Sequence, residues 1–208
     1  MDLAAEVAHR LLQINAIKLS PQKPFTWASG IKSPIYCDNR IALSFPEVRR
    51  FLIKGFAQAS AIFQPFNVVA GVATAGIPHG ALLAEELGLP FVYVRSKAKS
   101  HGRQNQIEGV LPADARVLVI EDLISTGGSV LKAVDALREA EADIVGVMAI
   151  FSYGFEKARA AFEAAGTSFA TLSTYDALLK AAAEAEYITA ADMDALKAWR
   201  NDPEAWGT

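Results

Sequence analysis

The chain has 208 residues, a size that suits one domain with its own core rather than a string of modules. With 52% hydrophobic and 21% charged residues and a formal net charge of −3, its composition is that of an ordinary globular protein, and neither nucleic acid nor a membrane is expected as a partner. Cys37 is the single cysteine, which excludes an intrachain disulfide and fits a reducing, cytoplasmic location.

The N-terminal stretch MDLAAEVAHRLL carries charges throughout and lacks the apolar core of a signal peptide. No apolar stretch approaches the roughly 18 residues of a membrane span. Leu3, Val7, Leu11, Leu12 and Ile14 recur at helical spacing and predict a helix over 3–17. Pro21, Pro24, Gly30 and Pro34 then break the pattern, leaving a loop-rich segment that ends in a short strand at 35–37. Ser44-Phe45-Pro46-Glu47 predicts a helix start, with Ser44 as the cap and Glu47 closing a capping box, and the helix is expected to reach about Phe63. From there the chain alternates. Apolar runs at 68–72, 91–94, 117–120 and 144–151 predict strands, separated by helices at about 77–87, 128–141 and 154–165. A last run at 169–172 precedes a helix at about 174–185, and Thr189 caps a final helix to about Trp199. Continuous apolar strands separated by helices predict an α/β fold: a Rossmann-like parallel sheet with helices on both faces. The 18–43 segment does not share that rhythm. It is expected to form a small hood with the first helix, about 1–43 with a C-terminal contribution, over a core of about 44–175, all within one domain of 1–208. Residues 186–208 have no role assigned beyond packing.

Ligands of an open parallel sheet bind beyond the carboxyl ends of its strands, and four stretches fall there. In VLVIEDLISTGGSV, residues 117–130, the strand ends in Glu121 and Asp122. Adjacent side chains on an extended chain point opposite ways, which argues against an acid/base dyad. Carboxylates do accept hydrogen bonds from sugar hydroxyls and hold a hydrated Mg²⁺. Ser125, Thr126, Gly127, Gly128 and Ser129 follow, offering three hydroxyls and unshielded backbone N–H groups at a helix start, which is a phosphate cradle. Together they suit a ribose 5-phosphate, hydroxyls on the carboxylates and phosphate in the cradle. The lysine of a Gly-x-x-x-x-Gly-Lys nucleotide loop is missing. The plainer alternative is a capped strand-to-helix turn.

GVATAGIPHG, residues 71–80, is a second small-residue turn that includes Thr74. Its backbone donors suit a second anionic group such as pyrophosphate, although glycine at such turns is common. His79 reads as a helix-surface or core histidine. In RSKAKSHGR, residues 95–103, the basic residues Arg95, Lys97, Lys99, His101 and Arg103 alternate with small ones. That pattern predicts a flap that swings on Gly102 and Gly109 over a polyphosphate and neutralises a leaving group, against the plainer reading of a solvated charged loop. FTWASGIKSPIYCDNR, residues 25–40, is an aromatic-rich lid with Lys32 and Arg40, suited to roofing a flat aromatic substrate.

VLVIEDLISTGGS resembles the thirteen-residue phosphoribosyl pyrophosphate (PRPP) signature of type I phosphoribosyltransferases. The lid stretch and YVRSKAKSHGRQNQIEG are similar to the orotate phosphoribosyltransferase family, and the likeness covers roughly residues 1–175. The resemblance implies a parallel-sheet core with a hood, and transfer of the 5-phosphoribosyl group from PRPP to orotate. The products would be orotidine 5′-monophosphate and pyrophosphate, in pyrimidine biosynthesis. It also implies Mg²⁺ as cofactor and a homodimer whose flaps reach into each other's active sites. Carried over by motif, Arg95, Lys99 and His101 contact the pyrophosphate of PRPP from the partner chain, Lys99 being the main catalytic charge. Glu121 and Asp122 hold the ribose hydroxyls, and Asp122 also touches Mg²⁺ through water. Leu123 and Ile124 belong to the PRPP-binding set, Ser125 to Ser129 bind the 5-phosphate, and Ser125 also lies near orotate. Thr74 belongs to the pyrophosphate loop.

Two departures bear on the base. Some members have Lys where Ala28 stands and Arg where Tyr153 stands, so Lys32 and Arg40 are expected to bind orotate, helped by lid backbone donors. Some members also have Lys directly after the flap arginine, where this chain has Ser96 followed by Lys97. In the expected reaction a ring nitrogen of orotate attacks C1 of the sugar as pyrophosphate leaves. Catalysis then comes from alignment and from stabilising the departing anion, with little general-base chemistry. The nearest rival is a phosphoribosyltransferase for another nucleobase, which shares the 117–130 logic but not this lid. A PRPP-sensing regulator that binds nucleic acid is opposed by the acidic net charge and the missing basic face. An inactive structural member is opposed by the intact carboxylates and cradle.

Overall fold

The structure is a computed structural model that describes residues 2–27, 30–96 and 106–206. Helix α1, Leu3–Gln13, starts at Asp2, whose side chain accepts the Ala5 N–H at 2.8 Å. It buries Val7, Ala8, Leu11 and Leu12, one stripe of a 3.6-residue period. Four short strands follow. β1 (Ile17–Leu19), β2 (Phe25–Thr26), β3 (Lys32–Ser33) and β4 (Ile35–Cys37) form two small antiparallel sheets, β1 with β4 and β2 with β3, both separate from the main sheet.

A 3₁₀ segment, Asn39–Ser44, leads into α2, Pro46–Ala59. The expected Ser44 capping box does not form. Ser44 closes the 3₁₀ turn, Phe45 takes the cap position without a side-chain bond, and Pro46 is the first helical residue. Proline brings no N–H to the helix start, so one of the orphan donors that a cap would satisfy is absent. A 3₁₀ turn at Ser60–Phe63 carries the chain to the predicted end.

The remaining elements are β5 (Val68–Val72), α3 (Gly76–Leu87), β6 (Phe91–Val94), β7 (Ile107–Glu108), β8 (Arg116–Ile124), α4 (Gly128–Glu139), β9 (Asp143–Ser152), α5 (Glu156–Ala164), β10 (Phe169–Thr174), α6 (Tyr175–Glu184) and α7 (Ala190–Asn201). The main sheet runs β10-β9-β8-β5-β6-β7, parallel throughout except for the short edge strand β7. Thr189 and Asp192 close a capping box on α7. α1 packs against α6 and β10, flanking the main sheet.

Two apolar cores explain why the strands read as continuous apolar runs. Leu118 and Ile120 of β8 join α1, α2, α3, α6 and α7 on one face, while Val117 and Val119 join α4 and α5 on the other. The fold is therefore α/β, a parallel sheet covered by helices on both sides.

Two features position the site. First, β8 is longer than its apolar run. It pairs with β5 only as far as Ile120 but with β9 as far as Ile124, so Glu121 onward overhangs β5. Strand order reverses here, because β6 lies on one side of β5 and β8 on the other, and such a switch point leaves a crevice. Second, α3 lies very close to the sheet. A Cβ on Gly76 would overlap the Ile120 carbonyl oxygen, and one on Gly71 would stand 2.9 Å from the Gly76 oxygen. Close packing thus accounts for these glycines of GVATAGIPHG, and it brings the start of α3 against Glu121.

The carboxyl-terminal helix ends in an aromatic cluster. Trp199 lies 5.7 Å from Trp27, 5.6 Å from Tyr153 and 5.4 Å from Phe155, measured between ring centroids. Gln22 also donates to Asp192 at 3.0 Å. Residues near the end of the chain are therefore packed against the 17–37 segment.

Candidate active site

Glu121 and Asp122 sit on the overhang of β8. An ideal strand would send them to opposite faces, yet the alternation slips here: beyond Ile120, Leu123 packs on the first core and Ile124 on the second. The Glu121 side chain turns back, and its Oε1 accepts the Asp122 N–H at 3.0 Å. On the other side of the same residue, the Asn39 side-chain amide donates to the Asp122 carbonyl at 2.8 Å. Asn39 is fully buried and Glu121 is 6% exposed.

Burial, reinforced by the charge of Asp122, pushes the Glu121 carboxyl up to about 9. Burial also raises Asp122, against the opposing pull of its hydrogen bonds and of Arg40. With both carboxyls pushed toward the protonated form, added donors or positive charge would favour ionisation. Sugar hydroxyls and a hydrated cation both do so. Among the described residues no group of three or more His, Cys, Asp or Glu could hold a metal. Two carboxylates suit Mg²⁺, which keeps several waters and takes its remaining ligands from a phosphorylated substrate.

The turn after β8 is open. Gly127 adopts φ +82°, and a Cβ there would stand 3.0 Å from the Phe162 ring, so both conformation and space require glycine. Gly128 has nothing within 4 Å of where its Cβ would be. Helix α4 has no side-chain cap, and the bond from Leu131 N–H to the Gly127 carbonyl, 3.0 Å, closes its first turn. The amides of Gly128, Ser129 and Val130 precede that bond, so they lack intrahelical acceptors. Thr126 is exposed and Ser125 half-buried beside them.

A cavity of about 390 Å³ joins this turn to the neighbouring strands; Ala73, Arg95, Ser96, Ser129 and Lys132 are among its lining residues. Thr74 lies in the β5–α3 turn next to Ala73, across a cis peptide bond. Arg95 is held at the base of the flap: its backbone N–H donates to the Gln106 carbonyl at 2.8 Å, and its guanidinium lies 3.4 Å from Glu108. Lys132 was not among the residues singled out from sequence, and its place one helical turn after Ser129 is the signal that could have found it. Lys97, Lys99, His101 and Arg103 lie outside the described residues.

A second cavity of about 300 Å³ is lined by Trp27, Tyr36, Cys37, Leu123, Ser125 and Tyr153. Half of its lining residues are aromatic, and it reaches from the 17–37 segment to the tip of β8, a lining suited to a flat ring. Lys32 and Arg40 are not among its lining residues. The Lys32 ammonium donates to Thr26 Oγ1 at 2.8 Å, and Arg40 grips the Asp38 carboxylate with bonds of 2.6 and 2.8 Å. That hydrogen bond holds Asp38 below its ordinary value. Burial raises the Cys37 thiol well above its usual range, so it stays protonated. Ala28 lies outside the described residues. His79 is fully buried with neither ring nitrogen partnered, and burial pushes it down to about 4: it is a neutral core histidine.

Residues 41–164 match the family model for a phosphoribosyl transferase domain. The whole chain is 55% identical to the full length of an orotate phosphoribosyltransferase of Listeria monocytogenes serovar 1/2a. Its fold is similar to Leishmania donovani UMP synthase, with a TM-score of 0.81 and 26% identity over 95% of this chain, which spans 42% of that longer one. It is also similar to the Mycobacterium tuberculosis H37Rv orotate phosphoribosyltransferase solved in complex with PRPP, with a TM-score of 0.67 and 25% identity over 85% of this chain and 98% of that one.

Proposed function

The chain belongs to the phosphoribosyl transferase family, and on that premise we propose that it transfers the 5-phosphoribosyl group of PRPP to orotate, giving orotidine 5′-monophosphate and pyrophosphate. It is an orotate phosphoribosyltransferase, a glycosyltransferase of pyrimidine biosynthesis. The observation that carries this reading is the meeting, at the strand-order reversal, of a carboxylate pair, an uncapped glycine turn and an aromatic pocket.

The ribose of PRPP lies along the overhang of β8. Its hydroxyls donate to Glu121 and Asp122, which adds donors to the pair and favours the ionised form. The 5-phosphate sits on the amides from Thr126 to Ser129 at the positive end of α4, with Leu123 and Ile124 shaping the approach. Gly128 leaves room for the phosphate to reach the backbone. Thr74, Arg95, Lys99 and His101 face the pyrophosphate. Asp122 would hold Mg²⁺ through water, and the ion would supply positive charge to the departing diphosphate. The base lies in the aromatic pocket beside Ser125, with Lys32 and Arg40 at the lid. No protein nucleophile is required: the residues align a ring nitrogen with C1 and steady the anion that leaves.

The working form is a homodimer in which each flap completes the neighbour's site, and the location is the cytoplasm. No helix among the described residues is long and apolar enough to cross a membrane. A transferase for another base is the second reading, favoured only by the absence of a charged side chain among the residues lining the aromatic pocket. One assay separates them. Protein, PRPP and Mg²⁺ are mixed with orotate, and loss of orotate absorbance is followed. Turnover of orotate is expected; turnover of uracil or hypoxanthine with none of orotate would overturn the substrate assignment.

A further inference from the structure

We propose that the Tyr153 hydroxyl is the donor that grips the carboxylate of the base, and so sets the preference for an acidic pyrimidine. This rests on the orotate reading above and adds the residue that makes the choice. None of the residues lining the aromatic pocket is an acid or a cation. Lys32 and Arg40 are engaged with Thr26 and Asp38. An anionic substituent placed in this pocket is therefore met by hydroxyl groups.

Tyr153 is the best prepared of these. It is 2% exposed. Its ring is fixed from several sides by Trp27, Phe151, Phe155 and Trp199, with centroids 5.3 to 5.6 Å away. Its hydroxyl makes no hydrogen bond with any described residue. Nor is that hydroxyl among the sealed polar atoms without partners, which are both ring nitrogens of His79 and Nε1 of Trp199. It is a buried side chain that lines the pocket, and its one polar atom has no hydrogen-bond partner among the described residues. Burial raises the phenol well above its usual range, so at neutral pH it is a donor. A carboxylate is the acceptor that gains most from such a donor, because the charge shortens and strengthens the bond. The other two hydroxyls are less committed. Ser125 belongs to the turn that leads into the phosphate cradle, and Tyr36 is 41% exposed on a three-residue strand, its ring 5.7 Å from Phe25.

Tyr153→Phe removes one oxygen and keeps the ring packing, so it separates the bond from the fold. We expect the KM for orotate to rise about tenfold or more, the scale of one lost charge-assisted bond. The KM for PRPP should stay within about twofold and the melting temperature should hold. The preference for orotate over uracil, which lacks the carboxylate, should fall by the same factor as the orotate KM rises. An orotate KM within about twofold of an active wild type overturns this inference alone. So does a joint rise of both KM values with a lower melting temperature, which would show a packing role. A wild type with no turnover of orotate overturns the reaction and this inference together.

Discussion

Asn39 and Asp122 are 83 residues apart in sequence, and the side-chain amide of the first donates to the backbone carbonyl of the second at 2.8 Å. With Glu121 Oε1 on the Asp122 N–H, both backbone groups of Asp122 are satisfied by side chains where β5 has already ended. Two side chains stand in for the missing neighbour strand. Asn39→Ala would leave the Asp122 carbonyl without that donor. The expected cost is about 1–3 kcal/mol of stability, the penalty of an orphaned polar group. A higher KM for PRPP should accompany it as Asp122 loosens. Denaturant titration and steady-state kinetics check both, and a change in neither would remove Asn39 from the support of the site.

Glu121 supplies a pH dependence. Its carboxyl titrates near 4.5 in the unfolded chain and about 9 in the fold. Between those values the folded state holds the extra proton, so its stability falls as pH rises across that window. The melting temperature of the free protein should decline from about pH 5 to about pH 8, and Glu121→Gln should flatten the decline. Binding of PRPP with Mg²⁺ near pH 8 should release a proton, seen as a buffer-dependent heat in calorimetry. An identical heat in buffers of different ionisation enthalpy would contradict this.

The two glycines of the cradle should behave differently. Gly127→Ala forces a side chain into φ +82° against Phe162 and should destabilise the fold by about 1–2 kcal/mol. Gly128→Ala meets no protein atom within 4 Å, so the melting temperature should hold. Its methyl group occupies phosphate space, and PRPP affinity should fall about tenfold or more. Equal affinity for PRPP in wild type and Gly128→Ala would move the phosphate elsewhere.

Lys99→Ala should lower kcat about a hundredfold or more, roughly 3 kcal/mol, as expected for one preorganised charge contact. A fall under about threefold would take Lys99 out of the mechanism. Mixing Lys99→Ala chains with Asp122→Ala chains tests the shared site. Hybrid dimers with exchanged flaps recover one working site; no recovery would show that each flap serves its own chain.

The sheet was legible in the sequence because strands buried on both faces must be apolar at nearly every position, and 68–72 and 91–94 are. The reach of β8 was not. The sequence ends the strand in Glu121 and Asp122, although hydrogen bonds to β9 alone suffice to carry it to Ile124. The start of α2 was misplaced for a local reason: the capping pattern around Ser44 fits, but a 3₁₀ turn already uses that residue. The motif at 121–129 could be read because a carboxylate pair and a glycine turn lie contiguous in the chain. Asn39 could not, since it reaches the tip of β8 from a separate element and nothing local marks it. Alternation along a strand sends Glu121 and Asp122 to opposite faces, yet Glu121 Oε1 reaches the Asp122 N–H. The rule describes where Cβ points, and a glutamate has length enough to turn back.

One tryptophan closes the last helix onto the sheet and also buttresses the wall of the base pocket through Trp27 and Tyr153. Docking of residues 190–201 and occupancy of the pocket are therefore thermodynamically linked. A bound base should slow amide exchange in that helix by the same free energy that undocking the helix would subtract from base affinity.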